Sequence, residues 1–157
     1  VTGFSLITAS IVAGAVATPG QILALPGASE STVVTVNPTR VLDTRYNVGL
    51  AGQFQSTVSR KLAITGKIPT YVEATATTEA VTTNKVVIPV GATGVIMNVT
   101  AVSPTSAGFL SIRPGDATGV PATAGLNFVP GDVVPNAVTV AIPTTGANAG
   151  RIDIHYG

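Results

Sequence analysis

The sequence predicts an all-β protein: a single β-sandwich or jelly-roll-like domain over residues 37–157, preceded by an extended N-terminal arm over residues 1–36. Three observations lead there. Runs of five to eight residues rich in Thr and Val recur along the chain, and β-branched side chains suit a pleated surface. Pro and Gly interrupt those runs at short, regular intervals, which is the pattern of a sandwich or barrel. The first 27 residues show no helical period over two full turns.

The arm comes first. Short β-favouring pieces, Phe4–Thr8, Ser10–Val12, Gln21–Leu25 and Thr32–Val36, alternate with Gly and Pro that forbid a long helix. Val33–Val36 reads as a strand leading into Pro38. The first charged residue is Glu30, so residues 1–29 carry no charge. Val16-Ala17-Thr18 before Pro19 resembles a signal-peptidase site, but no Lys or Arg starts the segment. The apolar run Ile11–Ala17 is far shorter than the roughly 20 residues a membrane span needs. The segment is therefore read as part of the working protein, with Val1 open as the true start, a processed end or a cut from a longer chain. Its large apolar side chains, Phe4, Leu6, Ile7, Ile11, Val12, Ile22, Leu23 and Leu25, are the candidates for contact with neighbouring molecules.

From Pro38 onward the expected strands are Arg40–Thr44, Gln55–Ile64, Lys85–Ile88, Gly94–Ala101, Gly108–Arg113, Ala124–Phe128, Ala137–Ile142 and Arg151–His155. Pro89-Val90-Gly91, Pro104-Thr105, Pro114-Gly115-Asp116, Pro130-Gly131-Asp132 and Pro143-Thr144-Thr145-Gly146 supply the turns. Gln55–Leu62 and Arg151–His155 alternate in polarity, so each is expected to have one wet face. Thr70–Asn84, where Thr and Ala mingle with Glu73 and Glu79, leaves helix and looped strand open and is read as an exposed insertion.

At 157 residues the chain is long enough to bury a real core in one domain. Eight Lys/Arg against seven Asp/Glu leave a net charge of +1 and no basic cluster, which argues against nucleic-acid binding. Cysteine is absent, removing disulfides, thiol catalysis and zinc–thiolate sites. Only 10% of residues are charged and 45% are hydrophobic, where a soluble domain commonly carries about a quarter charged residues. Apolar surface in such excess is usually buried against another subunit.

Candidate chemistry is sparse. The one histidine, His155, shares a strand face with Asp153, but no Gly-x-Ser-x-Gly supplies a nucleophile, so an exposed strand pair is the reading. The seven acids are scattered and present no facing pair for glycoside hydrolysis. Asp116 and Asp132 sit in Gly-containing turns and are read as turn caps rather than calcium ligands. No cofactor or metal is expected. Arg40-Val41-Leu42-Asp43-Thr44-Arg45 stands out: in an extended strand Asp43 and Arg45 share a side and form a charge-assisted pair, with Arg40 opposite. A structural ion pair is the first reading, and an arginine contact to a ligand carboxylate or sugar the second. Phe109 and Phe128 are expected in the core. Tyr46 and Tyr71 are candidates for glycan contact, although two tyrosines so far apart in sequence offer little of a platform.

The elements Pro38-Thr39-Arg40-Val41-Leu42-Asp43-Thr44-Arg45, Asn98-Val99-Thr100, Gly108-Phe109-Leu110-Ser111-Ile112-Arg113-Pro114 and Leu126-Asn127-Phe128, in that order, resemble the RLLDTR/LNVT-type β-domain of actinobacterial cell-surface proteins and of virion or tail proteins of their phages. The resemblance covers residues 38–157. It implies that the Asp-Thr-Arg motif opens the domain and ties its first strand to a later one, and that Asn127 and Asn136 bond to backbone at bends. The arm has no counterpart in that family. The chain also ends at His155-Tyr156-Gly157 without the family's usual last strand, which is expected to leave an edge for another chain to complete.

Together these imply a non-enzymatic structural protein of a surface assembly, such as a decoration or minor protein of a phage capsid. It would be held by its apolar arm, located at the virion surface, and self-associating, with a trimer favoured. A protein lattice such as a phage head or tail would be its partner. The alternative is a glycan-binding adhesion module of a bacterial surface or phage tail, with cell-wall glycan as partner.

Overall fold

The computed structural model describes residues 33–75 and 80–157, and the described chain is all-β, without helix. In chain order the strands are β1 (Val58–Ala63), β2 (Lys67–Val72), β3 (Val81–Val86), β4 (Gly94–Val102), β5 (Gly108–Pro114), β6 (Leu126–Phe128), β7 (Val133–Ala141) and β8 (Arg151–Tyr156). All pair antiparallel, in a four-stranded sheet β1-β8-β5-β6 and two ribbons, β2-β3 and β4-β7.

The core lies between the inner faces of the four-stranded sheet and of the β4-β7 ribbon. Leu62, Leu110, Ile152, Ile154, Phe128 and Tyr156 face Val95, Met97, Val99, Ala101 and Val140 in one continuous cluster. Each such side chain contributes roughly 1.5–3 kcal/mol by leaving water, which is ample to override weak local preferences. In β4 the alternation is complete: Val95, Met97, Val99 and Ala101 are buried and Gly94, Ile96, Asn98, Thr100 and Val102 are not. That is the period of two expected of a strand with one core face.

Several expectations are corrected. Arg40–Thr44 is not a strand. Its backbone makes only isolated bridges, Arg40 with Tyr71 and Asp43 with Val48, because the chain turns sharply after Asp43. Residues 33–36 form no strand either, and Val34 is 65% exposed. The Thr-rich region is largely exposed, as expected, but it is paired strand rather than an insertion, and forms most of the β2-β3 hairpin. Ile68 and Thr70 are buried there, and the Thr70 hydroxyl donates to the Thr83 carbonyl oxygen at 3.0 Å. Threonine's β-branching and its hydroxyl both serve the ladder, so the run that disfavoured helix favoured strand.

β8 also departs from expectation. It has no wet face, since Ile152 through Tyr156 are all buried. It lies between β1 and β5, so the last strand is internal and the sheet's edges are β1 and β6. Phe109 is half-buried on the sheet's outer side, with its ring 6.2 Å from that of His155, rather than in the core. The arm side chains Phe4, Leu6, Ile7, Ile11, Val12, Ile22, Leu23 and Leu25 lie outside the described residues. No helix among the described residues is long and apolar enough to cross a membrane.

Candidate functional site

Three places gather the residues that matter. The first begins with a turn. Asp43 accepts the backbone N–H of Arg45 on Oδ1 at 3.0 Å, an Asx turn, and its backbone closes the loop by exchanging hydrogen bonds with Val48. Asn47 completes the reversal at φ 56°, a left-handed conformation that asparagine tolerates better than most residues. The turn projects Arg45 and Tyr46 outward while burying Asp43 completely.

The buried carboxylate is held from two directions. Arg45 donates through Nε to Oδ1 at 3.1 Å and through Nη2 to Oδ2 at 2.8 Å, and Arg40 donates through Nη1 to Oδ2 at 3.1 Å. The Asp43–Arg45 pair is the one the motif suggests. Arg40, which an extended chain would place on the opposite face, joins because the chain bends. The carboxylate raises the Arg45 guanidinium above its ordinary range, chiefly through its hydrogen bonds.

Arg40 also carries the turn onto the hairpin. Its carbonyl accepts the Tyr71 N–H at 3.1 Å, and its guanidinium meets Glu73 at 2.9 Å and lies over the Tyr71 ring at 5.2 Å. Tyr71 in turn stacks on Tyr46, with ring centroids 4.7 Å apart and planes within 8°. Arg45 lies over Tyr46 at 5.4 Å. Two tyrosines 25 positions apart in the chain thus form one surface feature, with Tyr46 half exposed. The Tyr71 hydroxyl is held above the usual phenol range, first by partial desolvation and then by the Tyr46 hydroxyl.

The second place is the outer face of the four-stranded sheet. The register sets Lys61, Asp153 and Arg113 side by side in one row and Ser59, His155 and Ser111 in the next. Asp153 is fully buried. Arg113 donates to its Oδ2 from Nε at 3.1 Å and from Nη2 at 2.7 Å, while Lys61 faces Oδ1 at 3.4 Å. Ser59 Oγ stands 3.2 Å from Asp153 Oδ2 and 3.0 Å from His155 Nδ1. Here the serine lies between acid and imidazole, whereas general-base activation of a serine needs the imidazole between acid and hydroxyl. The chemistry this arrangement performs is cohesion across three strands. The exposed strand pair expected of Asp153 and His155 is therefore corrected: both are buried. Ser59, Lys61 and Arg113 went unnoticed in the sequence, although Ser-x-Lys, Ser-x-Arg and Asp-x-His repeat one polar period across three strands.

The third place is the outer face of the β4-β7 ribbon. The register pairs Gly94 with Ala141, Ile96 with Thr139, Asn98 with Ala137, Thr100 with Pro135 and Val102 with Val133. All five β7 members are exposed, Val133 by 64%. None of the ten carries a charge. At the Gly94–Thr139 end this face runs into a groove of about 620 Å³, lined by Val33, Val34, Val36, Ile88, Val90 and Ile96 among others. Val33, Val34 and Val36, at the end of the expected arm, thus line a groove on the face itself.

Among the smaller expectations, Asp132 does cap its turn, accepting the Val129 N–H at 2.8 Å. Asn136 donates to the Gly125 carbonyl oxygen. Among the described residues no three His, Asp or Glu side chains come close enough to share a metal ion. Compared with protein-family models, curated proteins and solved structures, the chain matches none.

Proposed function

We propose that this chain is a non-enzymatic structural protein of a surface assembly, a decoration or minor protein of a virion, that associates with copies of itself and with a protein lattice. The observation that carries this reading is the uncharged outer face of β4-β7, continuous with the groove beside residues 33–36. A monomer in water gains nothing from presenting Val133, Pro135, Ala137, Thr139 and Ala141 together, whereas an interface needs a charge-depleted centre of this kind. In sequence, the uncharged residues 1–29 precede residues 33–36, which suits an arm that follows a neighbour. Virion location rests on the resemblance of the Asp-Thr-Arg, Asn-Val-Thr and Leu-Asn-Phe elements.

The occupant of the face is a second copy of the chain. The test places a charge in its centre in the full-length protein: Ala137→Asp, on an exposed position, buries an unpaired carboxylate in any such contact. Sedimentation of the variant is expected to give a smaller species than the wild type at equal concentration, with unchanged circular dichroism. An equal mass for both proteins contradicts the reading.

A further inference from the structure

We infer that the Tyr46–Tyr71 stack and its two arginines form a binding site for a glycan that bears a carboxylate. The site is assembled from two distant segments, the turn after Asp43 and strand β2, and neither ring belongs to the apolar core. Tyr71 stacks on one face of Tyr46 and Arg45 lies over the ring 5.4 Å from its centroid, yet Tyr46 stays 51% exposed, so part of the ring is open to solvent. An open aromatic surface held rigid by its neighbours suits the C–H face of a pyranose, and the phenol and guanidinium groups beside it suit the sugar hydroxyls. The rigidity is already built in, because Asp43 fixes Arg45 through two oxygens and the Arg40 backbone is bridged to Tyr71. Little side-chain ordering remains to oppose binding.

The preference for a carboxylate comes from Arg40. Its guanidinium meets two carboxylates of different character. Asp43 is fully buried and cannot leave, while Glu73 approaches from solvent with its side chain 64% exposed. A pair whose acid is solvent-exposed contributes little in water, so exchanging Glu73 for a ligand carboxylate costs little. Glu73 therefore occupies the position the ligand's acid group takes, and it competes with it. The inference is independent of self-association, since the site lies on the turn and the β2-β3 hairpin rather than on β4-β7.

The test is calorimetric titration of the full chain with oligogalacturonate, with neutral maltotetraose and with polyglutamate. Oligogalacturonate is expected to bind with saturation and the other two not to. Glu73→Gln, at an exposed position that folding does not need, is expected to tighten oligogalacturonate binding about three- to fivefold by removing the competitor. Tyr46→Ala is expected to weaken it about tenfold by removing the stacking surface. Absence of oligogalacturonate binding overturns the proposal, as does weaker binding by Glu73→Gln. Equal binding of polyglutamate overturns it in favour of a general anion site, and equal binding of maltotetraose removes the role of the carboxylate.

Discussion

Asp43 and Asp153 are both fully buried, and each is met by two cationic side chains: Arg40 and Arg45 for the first, Lys61 and Arg113 for the second. Removing a buried carboxylate strands its partners, which typically costs about 3–5 kcal/mol. Asp153→Ala is expected to fall in that range by urea denaturation, because the Arg113 side chain is only 16% exposed. Asp43→Ala is expected to cost less, about 1–3 kcal/mol, since Arg45 is 44% exposed and can recover water, and Arg40, though only 17% exposed, keeps Glu73 as a partner. Equal losses in the two variants would contradict this reading of burial. Tyr71 gives a pH-dependent prediction. Its phenol is held above the ordinary value of 10.0, so folding favours the neutral ring. The contribution is present in full below the unfolded value and is lost as pH rises through the raised one. Absorbance titration is expected to show a late-ionising tyrosine that Tyr71→Phe removes and that Tyr46→Phe moves back down. The pairing of Asp43 with Arg45 could be read from three adjacent letters. The clamp on Asp153 could not, because Arg113 lies 40 residues away in sequence and only the register of β5 on β8 brings them together.

At the scale of elements, patterning located β1, β4, β5 and β8 to within a few residues, because each places apolar side chains on the core at a period of two. It misjudged the surroundings of β8. Alternation in Arg151–His155 implied a wet face, yet the central position of the strand lets β1 and β5 cover Asp153 and His155 with their own polar residues. The β2-β3 hairpin was legible only at its end, Lys85–Val86, because the signal of the rest is threonine rather than large apolar residues. With β3 as its one partner strand, β2 keeps a side that needs no donor from Pro69. A consequence is measurable by amide hydrogen exchange. β8, hydrogen-bonded on both sides, is expected to be the slowest strand, and the exposed two-stranded β2-β3 hairpin to exchange faster. Protection of β2-β3 equal to that of β8 would contradict the topology. Backbone space matters at Gly150, which sits at φ 71° with Thr65 Oγ1 where a Cβ would go, so Gly150→Ala should loosen the entry to β8.

The whole molecule combines a conventional apolar core with three outward surfaces of different chemistry. One sheet face is ionic, around Asp153, whose Oδ2 is hydrogen-bonded by Arg113 while its buried Oδ1 has only the charge of Lys61 at 3.4 Å. The turn and hairpin present paired tyrosines framed by arginines. The β4-β7 ribbon presents ten uncharged residues beside the groove lined by residues 33–36. Composition foretold the third, since a chain with 10% charged residues has little charge to spread over its surface. It did not foretell where the uncharged patch falls, which follows from β7 carrying Val, Pro, Ala, Thr and Ala on alternate outward positions. The most direct measurement is the solution mass of the unmodified full chain by light scattering across a dilution series. Association through this face predicts a multiple of the 15.6 kDa chain, with a trimer favoured, that dissociates on dilution. A mass of 15.6 kDa at every concentration would contradict it.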